Sequence, residues 1–207
     1  MSRWRTCCAG CCRGGGKAGG GRMRRRLFAG VAVEATDALR RRAEEWRQVL
    51  GGRVRWVRME NLHLTVEFFG ETEEEWIPRL EQALARAARE VPGPVDLAVG
   101  KAEVYGSPRH PRVLWLGVES AGLPELHARV QEALREAGWQ PEARPYSPHL
   151  TLGRFKAGER GALLNRRPSM PDAPLTCPPV RELILFESVR GPAGIAYEKR
   201  NRWRLGG

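Results

Sequence analysis

Two tetrapeptides, His63-Leu64-Thr65-Val66 and His149-Leu150-Thr151-Leu152, repeat the pattern His-x-Thr-x at a separation of 86 residues. Each lies in an apolar run of the kind that forms a strand, where successive side chains alternate between faces. His63 and Thr65 therefore share one face while Leu64 and Val66 share the other, and His149 and Thr151 stand against Leu150 and Leu152 in the same way. Each copy offers an imidazole and a hydroxyl together on a polar face, with an apolar face to bury. One copy would describe any amphipathic strand. Two copies that use two of the chain's four histidines point to a site.

Two histidines and two hydroxyls facing one cleft suit phosphodiester chemistry. A neutral imidazole takes a proton from the attacking nucleophile, and a protonated one on the other side gives a proton to the leaving oxygen, both near neutral pH. In-line displacement at phosphorus needs these groups on opposite sides, which two related lobes facing each other supply. Threonine hydroxyls hydrogen-bond non-bridging phosphate oxygens. Catalytic zinc takes three protein ligands, and no third His, Cys or Asp sits at a comparable position, so neither a metal nor another cofactor is expected. His110 lies between prolines in SPRHPR and reads as an exposed loop residue, and His127 reads as the edge of a helical stripe.

The elements that must position the motifs follow from periodicity. Residues 26–33 (RLFAGVAV) form a short apolar strand. Residues 36–50 place Leu39, Ala43, Trp46 and Leu50 on one helical face, capped by Thr36 and stopped at Gly51-Gly52. Strands are expected at 53–59 and 62–70, paired as a hairpin across Glu60-Asn61, and Thr72 with Glu75 resembles a capping box before a helix that carries Leu80, Leu84 and Ala87 beyond Pro78. A second cycle has strands at 95–104 and 112–119, a helix at 124–137 and a strand at 145–155. The stretch 156–179 holds five prolines and reads as a surface loop of the length of a functional lid. Strands at 180–189 and 195–205 complete an α+β protein whose halves echo each other.

The chain's 207 residues, 42% hydrophobic and 29% charged, exclude collagen-like, coiled-coil and wholly disordered proteins, and no apolar run is long enough for a membrane-spanning helix. Thirty-five basic against 24 acidic residues give +11, a balance that suits a polyanionic ligand such as RNA. The first 22 residues contribute five basic and no acidic residues, seven glycines and four of the five cysteines, which leaves +6 for the remainder. Met23 precedes the first strand-like run, so 1–22 reads as a disordered Cys/Gly/Arg-rich tail or upstream translation, and 23–207 as the folded domain. Cys8 and Cys11 have the CxxC spacing of a soft-metal site, without a second ligand pair. Cys177 stands alone in the body, so no disulfide is available there, and a reducing cytoplasm is expected.

From Met23 onward the chain resembles the 2H phosphoesterase superfamily, specifically the bacterial and archaeal RNA 2′,3′-cyclic phosphodiesterases, also called 2′-5′ RNA ligases. The resemblance rests on RLFAGV (26–31), Trp56, NLHLTVEFFGE (61–71), PRVLWLGV (111–118) and SPHLTLGRF (147–155). It implies a bilobed α+β fold, pseudo-two-fold, with two antiparallel sheets around a central groove and helices outside. It implies hydrolysis of a 2′,3′-cyclic phosphate on RNA ends or nucleotides to a 2′-phosphate, with reversible, ATP-independent 2′-5′ RNA ligation as a second activity. It places the proton donor at His63, the proton acceptor at His149, and phosphate contacts at Thr65, Thr151 and Arg154. Strict alternation puts Arg154 on the face opposite His149, so a bulge near Gly153 is required. The first motif has Phe68 at the corresponding offset. Trp56, Phe68, Phe69 and Trp115 are candidates for base stacking or for the core. A monomer is the default, and the rival reading is an RNA-binding or tRNA-processing accessory module with little turnover. Two complete motifs speak against that rival.

Overall fold

The computed structural model describes residues 23–107, 109–159, 174–191 and 194–207. The expected tail at 1–22, with its cysteine cluster, lies outside the described residues. Nine strands and three helices follow in the order β1 (Arg24–Ala32), α1 (Asp37–Leu50), β2 (Val54–Trp56), β3 (His63–Glu73), α2 (Ile77–Glu90), β4 (Val95–Ser107), β5 (His110–Glu119), α3 (Gly122–Glu136), β6 (His149–Phe155), β7 (Leu175–Val180), β8 (Glu182–Gly191) and β9 (Gly194–Arg204) among the described residues. They form a four-stranded sheet, β3-β1-β8-β9, and a five-stranded sheet, β2-β6-β5-β4-β7. Every pairing is antiparallel. The motif strand β3 lies beside β1 in one sheet as β6 lies beside β5 in the other, which is the pseudo-two-fold relation of the two lobes.

The sheets do not coincide with the two halves of the chain. β2 joins β6 with Val54 opposite Phe155, and β3 joins β1, so the expected hairpin between 53–59 and 62–70 does not form. The physical reason lies at Gly153, where a Cβ would meet Val54 Cγ1 at 2.4 Å and the Arg55 carbonyl at 2.9 Å. Only glycine lets β2 lie this close to β6. A tight turn at Met59–Asn61 then carries the chain from one sheet to the other, anchored by buried Leu62.

One face of each sheet packs on the helices in a single core. Leu27, Ala29 and Val31 of β1 enter it with Leu64 and Val66 of β3, Leu150 and Leu152 of β6, and the apolar stripes of α1 and α2. Burying side chains of this size removes about 2 kcal/mol each from the cost of folding. Thr36 Oγ1 caps α1 by accepting from the Leu39 N–H at 3.3 Å, as its sequence predicts. The buried Arg42 guanidinium ties α1 to β4 by donating to the carbonyls of Val99 and Gly100 at 3.2 and 3.0 Å.

Two expectations are corrected at strand ends. Thr72 is not a helix cap: it is buried in β3, opposite Arg25, and its hydroxyl donates to the Gly70 carbonyl at 3.2 Å. The strand runs on to Glu73 because Arg24 pairs with Glu73 at 3.1 Å across the ladder. Within the expected loop at 156–179, residues Leu175–Val180 form an edge strand against β4 and bury Cys177, and Pro178 and Pro179 are tolerated at that edge. Residues 160–173 lie outside the described residues.

Candidate active site

The opposite faces of the two sheets carry the polar motif residues. Both motif strands contain a bulge at the same place. In β3, Thr65 pairs with Gly30 and Glu67 with Ala29, so Val66 is the extra residue; in β6, Thr151 pairs with Trp115 and Gly153 with Leu114, so Leu152 is the extra one. An extra residue reverses the alternation beyond it. Arg154 therefore comes onto the face of His149 and Thr151, as the sequence required, and is exposed there. Phe68, at the same offset in the first motif, comes by the same device onto the face of His63 and Thr65. It is 41% exposed, with the Arg26 guanidinium 5.1 Å from its ring centre.

The imidazoles are held alike. His63 Nδ1 lies 2.7 Å from the Asn61 carbonyl oxygen and His149 Nδ1 lies 3.0 Å from that of Ser147, each two residues upstream. A carbonyl only accepts, so each Nδ1 carries the hydrogen and Nε2 is left to exchange a proton. Their surroundings differ. His63 is half-buried among Phe28, Tyr197 and Phe186, at ring-centre distances of 4.9, 4.8 and 5.7 Å. His149 is exposed, with the edge of Trp115 at 5.7 Å. Burial lowers the pKa of His63 below the ordinary imidazole value, the Asn61 carbonyl opposes that shift, and the nearby charges of His149 and Arg154 add to it. The two histidines and Arg154 are thus within electrostatic reach of one another. Thr65 and Thr151 are half-buried, each two residues along from its histidine on the same face.

A second cation joins this face. Arg55 of β2 is directly opposite Arg154 of β6, so the two side chains project from the same side of the sheet. Like charges directly opposite one another destabilise a sheet. Among the described residues neither has an ion-pair partner, which is an arrangement that an anion between them relieves. The segment 53–58 (RVRWVR) supplies this cation, and its position beside Arg154 comes from the strand pairing. Phe186 and Tyr197 were not signalled, because their relation to His63 depends on β8 pairing with β1 and β9 pairing with β8. Trp56 and Phe69 belong to the core side. Among the described residues no group of three or more His, Cys, Asp and Glu side chains is arranged to hold a metal ion, and no helix is long and apolar enough to cross a membrane.

Two antiparallel sheets meeting at paired His-x-Thr-x strands define a phosphoesterase fold of the two-histidine type. The chain belongs to the 2′-5′ RNA ligase superfamily, whose sequence profile matches residues 35–191. It is 32% identical over 185 residues to the RNA 2′,3′-cyclic phosphodiesterase of Methanothermobacter thermautotrophicus, a match covering 86% of this chain and 98% of that protein. It is 40% identical over 108 residues to the protein of the same description from Bacillus subtilis, covering 52% of this chain and 58% of that one. Among solved structures, E. coli LigT complexed with 3′-AMP superimposes with a TM-score of 0.64 at 26% identity, covering 89% of this chain and 99% of that chain. A protein of Thermus thermophilus does so with a TM-score of 0.65 at 25% identity, covering 88% and 98%.

Proposed function

We propose that the protein hydrolyses 2′,3′-cyclic phosphates at RNA ends to 2′-phosphates by general acid and base catalysis between His63 and His149. The observation that carries this reading is the matched pair of imidazoles, each with Nδ1 tied to a backbone carbonyl and Nε2 free to exchange a proton, beside the guanidinium groups of Arg154 and Arg55, which have no ion-pair partner among the described residues. His149 Nε2 accepts a proton from water as the water attacks phosphorus opposite O3′. His63 Nε2, protonated, donates to O3′ as the P–O3′ bond breaks, so the phosphate stays on O2′. Thr65 and Thr151 hydroxyls donate to the non-bridging oxygens, and Arg154, with Arg55 beside it, holds the charge that develops there. With a 5′-hydroxyl in place of water as the nucleophile, the same steps open the cyclic phosphate into a 2′-5′ phosphodiester without ATP, the P–O3′ bond breaking as the P–O5′ bond forms. The relatives described as RNA 2′,3′-cyclic phosphodiesterases support the substrate class.

The depressed pKa of His63 fits the donor role, because a protonated imidazole that holds its proton weakly is the stronger acid. The bound phosphate's negative charge restores the protonated form when substrate arrives. Phosphorus NMR of the product from adenosine 2′,3′-cyclic phosphate tests the reading, with the 2′-phosphate alone expected and turnover retained in EDTA. Predominant 3′-phosphate, or activity lost in EDTA and restored by a divalent ion, overturns it.

A further inference from the structure

One row of side chains crosses four strands of the five-stranded sheet on the motif face. Tyr105 of β4 is opposite Val113 of β5, Val113 is opposite Arg154 of β6, and Arg154 is opposite Arg55 of β2. Directly opposed residues project to the same side, so this row lies on the face of His149 and Thr151, displaced along β6 from them. Tyr105 is 38% exposed and stands two strands from Arg154, about 10 Å at roughly 4.8 Å per strand.

At the Tyr105 end the row opens into a depression of about 430 Å³ lined by Tyr105, Arg112, Val113, Arg154 and Lys156. The volume is in the range of sites that hold small ligands, and three cations line it. The carboxylate at its margin, Glu159, is paired with Arg53 at 3.5 Å and so is drawn away from the cations. Its wall is shared with the site, because Arg154 belongs to both.

From these placements we infer that the depression is a second nucleotide subsite, which takes the nucleotide next to the one carrying the cyclic phosphate. Its phosphate lies among Arg154, Arg112 and Lys156, and its base stacks on the exposed ring of Tyr105. This rests on the function proposed above and deepens it: the preferred substrate is a single-stranded RNA end rather than a mononucleotide. An aromatic ring set one base's reach from a cluster of cations is the arrangement by which proteins hold single strands, with stacking tolerant of sequence and the cations following the backbone.

The experiment measures kcat/KM for adenosine 2′,3′-cyclic phosphate and for a short oligoribonucleotide ending in the same group, in the wild type, Tyr105→Leu, Tyr105→Phe and Arg112→Ala. The wild type favours the oligonucleotide. Tyr105→Leu lowers the ratio of the two values by about five- to a hundredfold, the range of one base stacked on an aromatic ring, and Tyr105→Phe restores it. Arg112→Ala reduces the steepness of the salt dependence for the oligonucleotide by about 0.7 in the log–log slope, the value of one phosphate contact on a single strand. A ratio unchanged in Tyr105→Leu, or equal losses on both substrates, overturns the subsite. If the wild type hydrolyses neither substrate, the function proposed above fails instead. Fluorescence anisotropy with an oligonucleotide ending in a 2′-phosphate then decides the subsite alone, since Tyr105→Leu must still weaken binding.

Discussion

Gly30 tests whether the catalytic geometry is set by the ladder between β1 and β3. It pairs with Thr65, and a Cβ built there would stand 2.5 Å from the Leu64 carbonyl oxygen and 3.5 Å from the Thr65 Cα. The backbone atoms it meets lie between the imidazole and the hydroxyl of the first motif, and a carbonyl in a ladder cannot swing aside as a side chain can. In Gly30→Ala the strands must separate by about half an ångström to an ångström to restore an ordinary contact. Overpacking of this kind costs about 1–3 kcal/mol, which for a chain of this size lowers Tm by about 2–12 °C. Misplacement of about an ångström costs on the order of a hundredfold in rate, so kcat falls by about ten- to a hundredfold in protein that remains folded. The assay is turnover of a nucleoside 2′,3′-cyclic phosphate alongside a melting curve, with Gly52→Ala as control. A Cβ at Gly52 meets nothing within 4 Å, and that variant keeps its rate. A Gly30→Ala enzyme with kcat within about threefold of wild type refutes the idea that the spacing of β1 and β3 sets the position of His63.

Three further outcomes are expected. His63→Ala and His149→Ala each reduce kcat by at least about a hundredfold with normal melting curves, and a variant that keeps its rate removes that histidine from the mechanism. By NMR, His63 of the free protein titrates below the ordinary imidazole pKa of about 6.5, and its midpoint rises when a 2′-nucleotide binds; a midpoint at or above the ordinary value in the free protein contradicts the account of its burial. Glu67 is 4% exposed, accepts from the Glu142 N–H at 3.3 Å and the Gln131 amide at 3.4 Å, and burial raises its pKa. The folded state then binds a proton that the unfolded state has released, so stability falls as pH rises from the unfolded value through the folded one, and Glu67→Gln loses that dependence in denaturant titrations at pH 4 and pH 8.

Periodicity and spacing made much of this site legible, because strand alternation is a local rule. The conflict at Arg154 is instructive. Five residues after His149 it belongs on the wrong face, and that mismatch required the irregularity which the register places at Leu152. The β2–β3 pairing was misread for the opposite reason. Glu60-Asn61 between two apolar runs has the composition of a turn, but the choice of partner is made by Gly153, more than 90 residues downstream, where a missing Cβ admits β2. The aromatic rings around His63 were out of reach in the same way. Phe28 and Tyr197 lie far apart in the chain and meet only because β8 inserts between β1 and β9. Pairing of distant strands leaves no local pattern, so whatever depends on it must come from the fold.

The two motifs show how one local geometry is given two surroundings, to which the proposed mechanism assigns two chemical roles. Each imidazole makes the same bond from Nδ1 to a carbonyl two residues back, so neither tautomer nor ring orientation distinguishes them. The neighbours do. Phe28, Phe186 and Tyr197 desolvate His63 and make its charged form costly until an anion is bound, whereas His149 stands exposed beside the edge of one tryptophan. A group that becomes cationic only with the phosphate in place is suited to deliver that proton to the leaving oxygen and return to its neutral resting form. A solvent-exposed imidazole is suited to meet water. The difference arises in β8 and β9, which place Phe186 and Tyr197 over the first motif. In the second sheet the face of His149 carries the row that runs through Arg154 to Tyr105. The pseudo-two-fold thus brings the two histidines within electrostatic reach of one another, and in the proposed mechanism the side chains that break it select which one gives the proton.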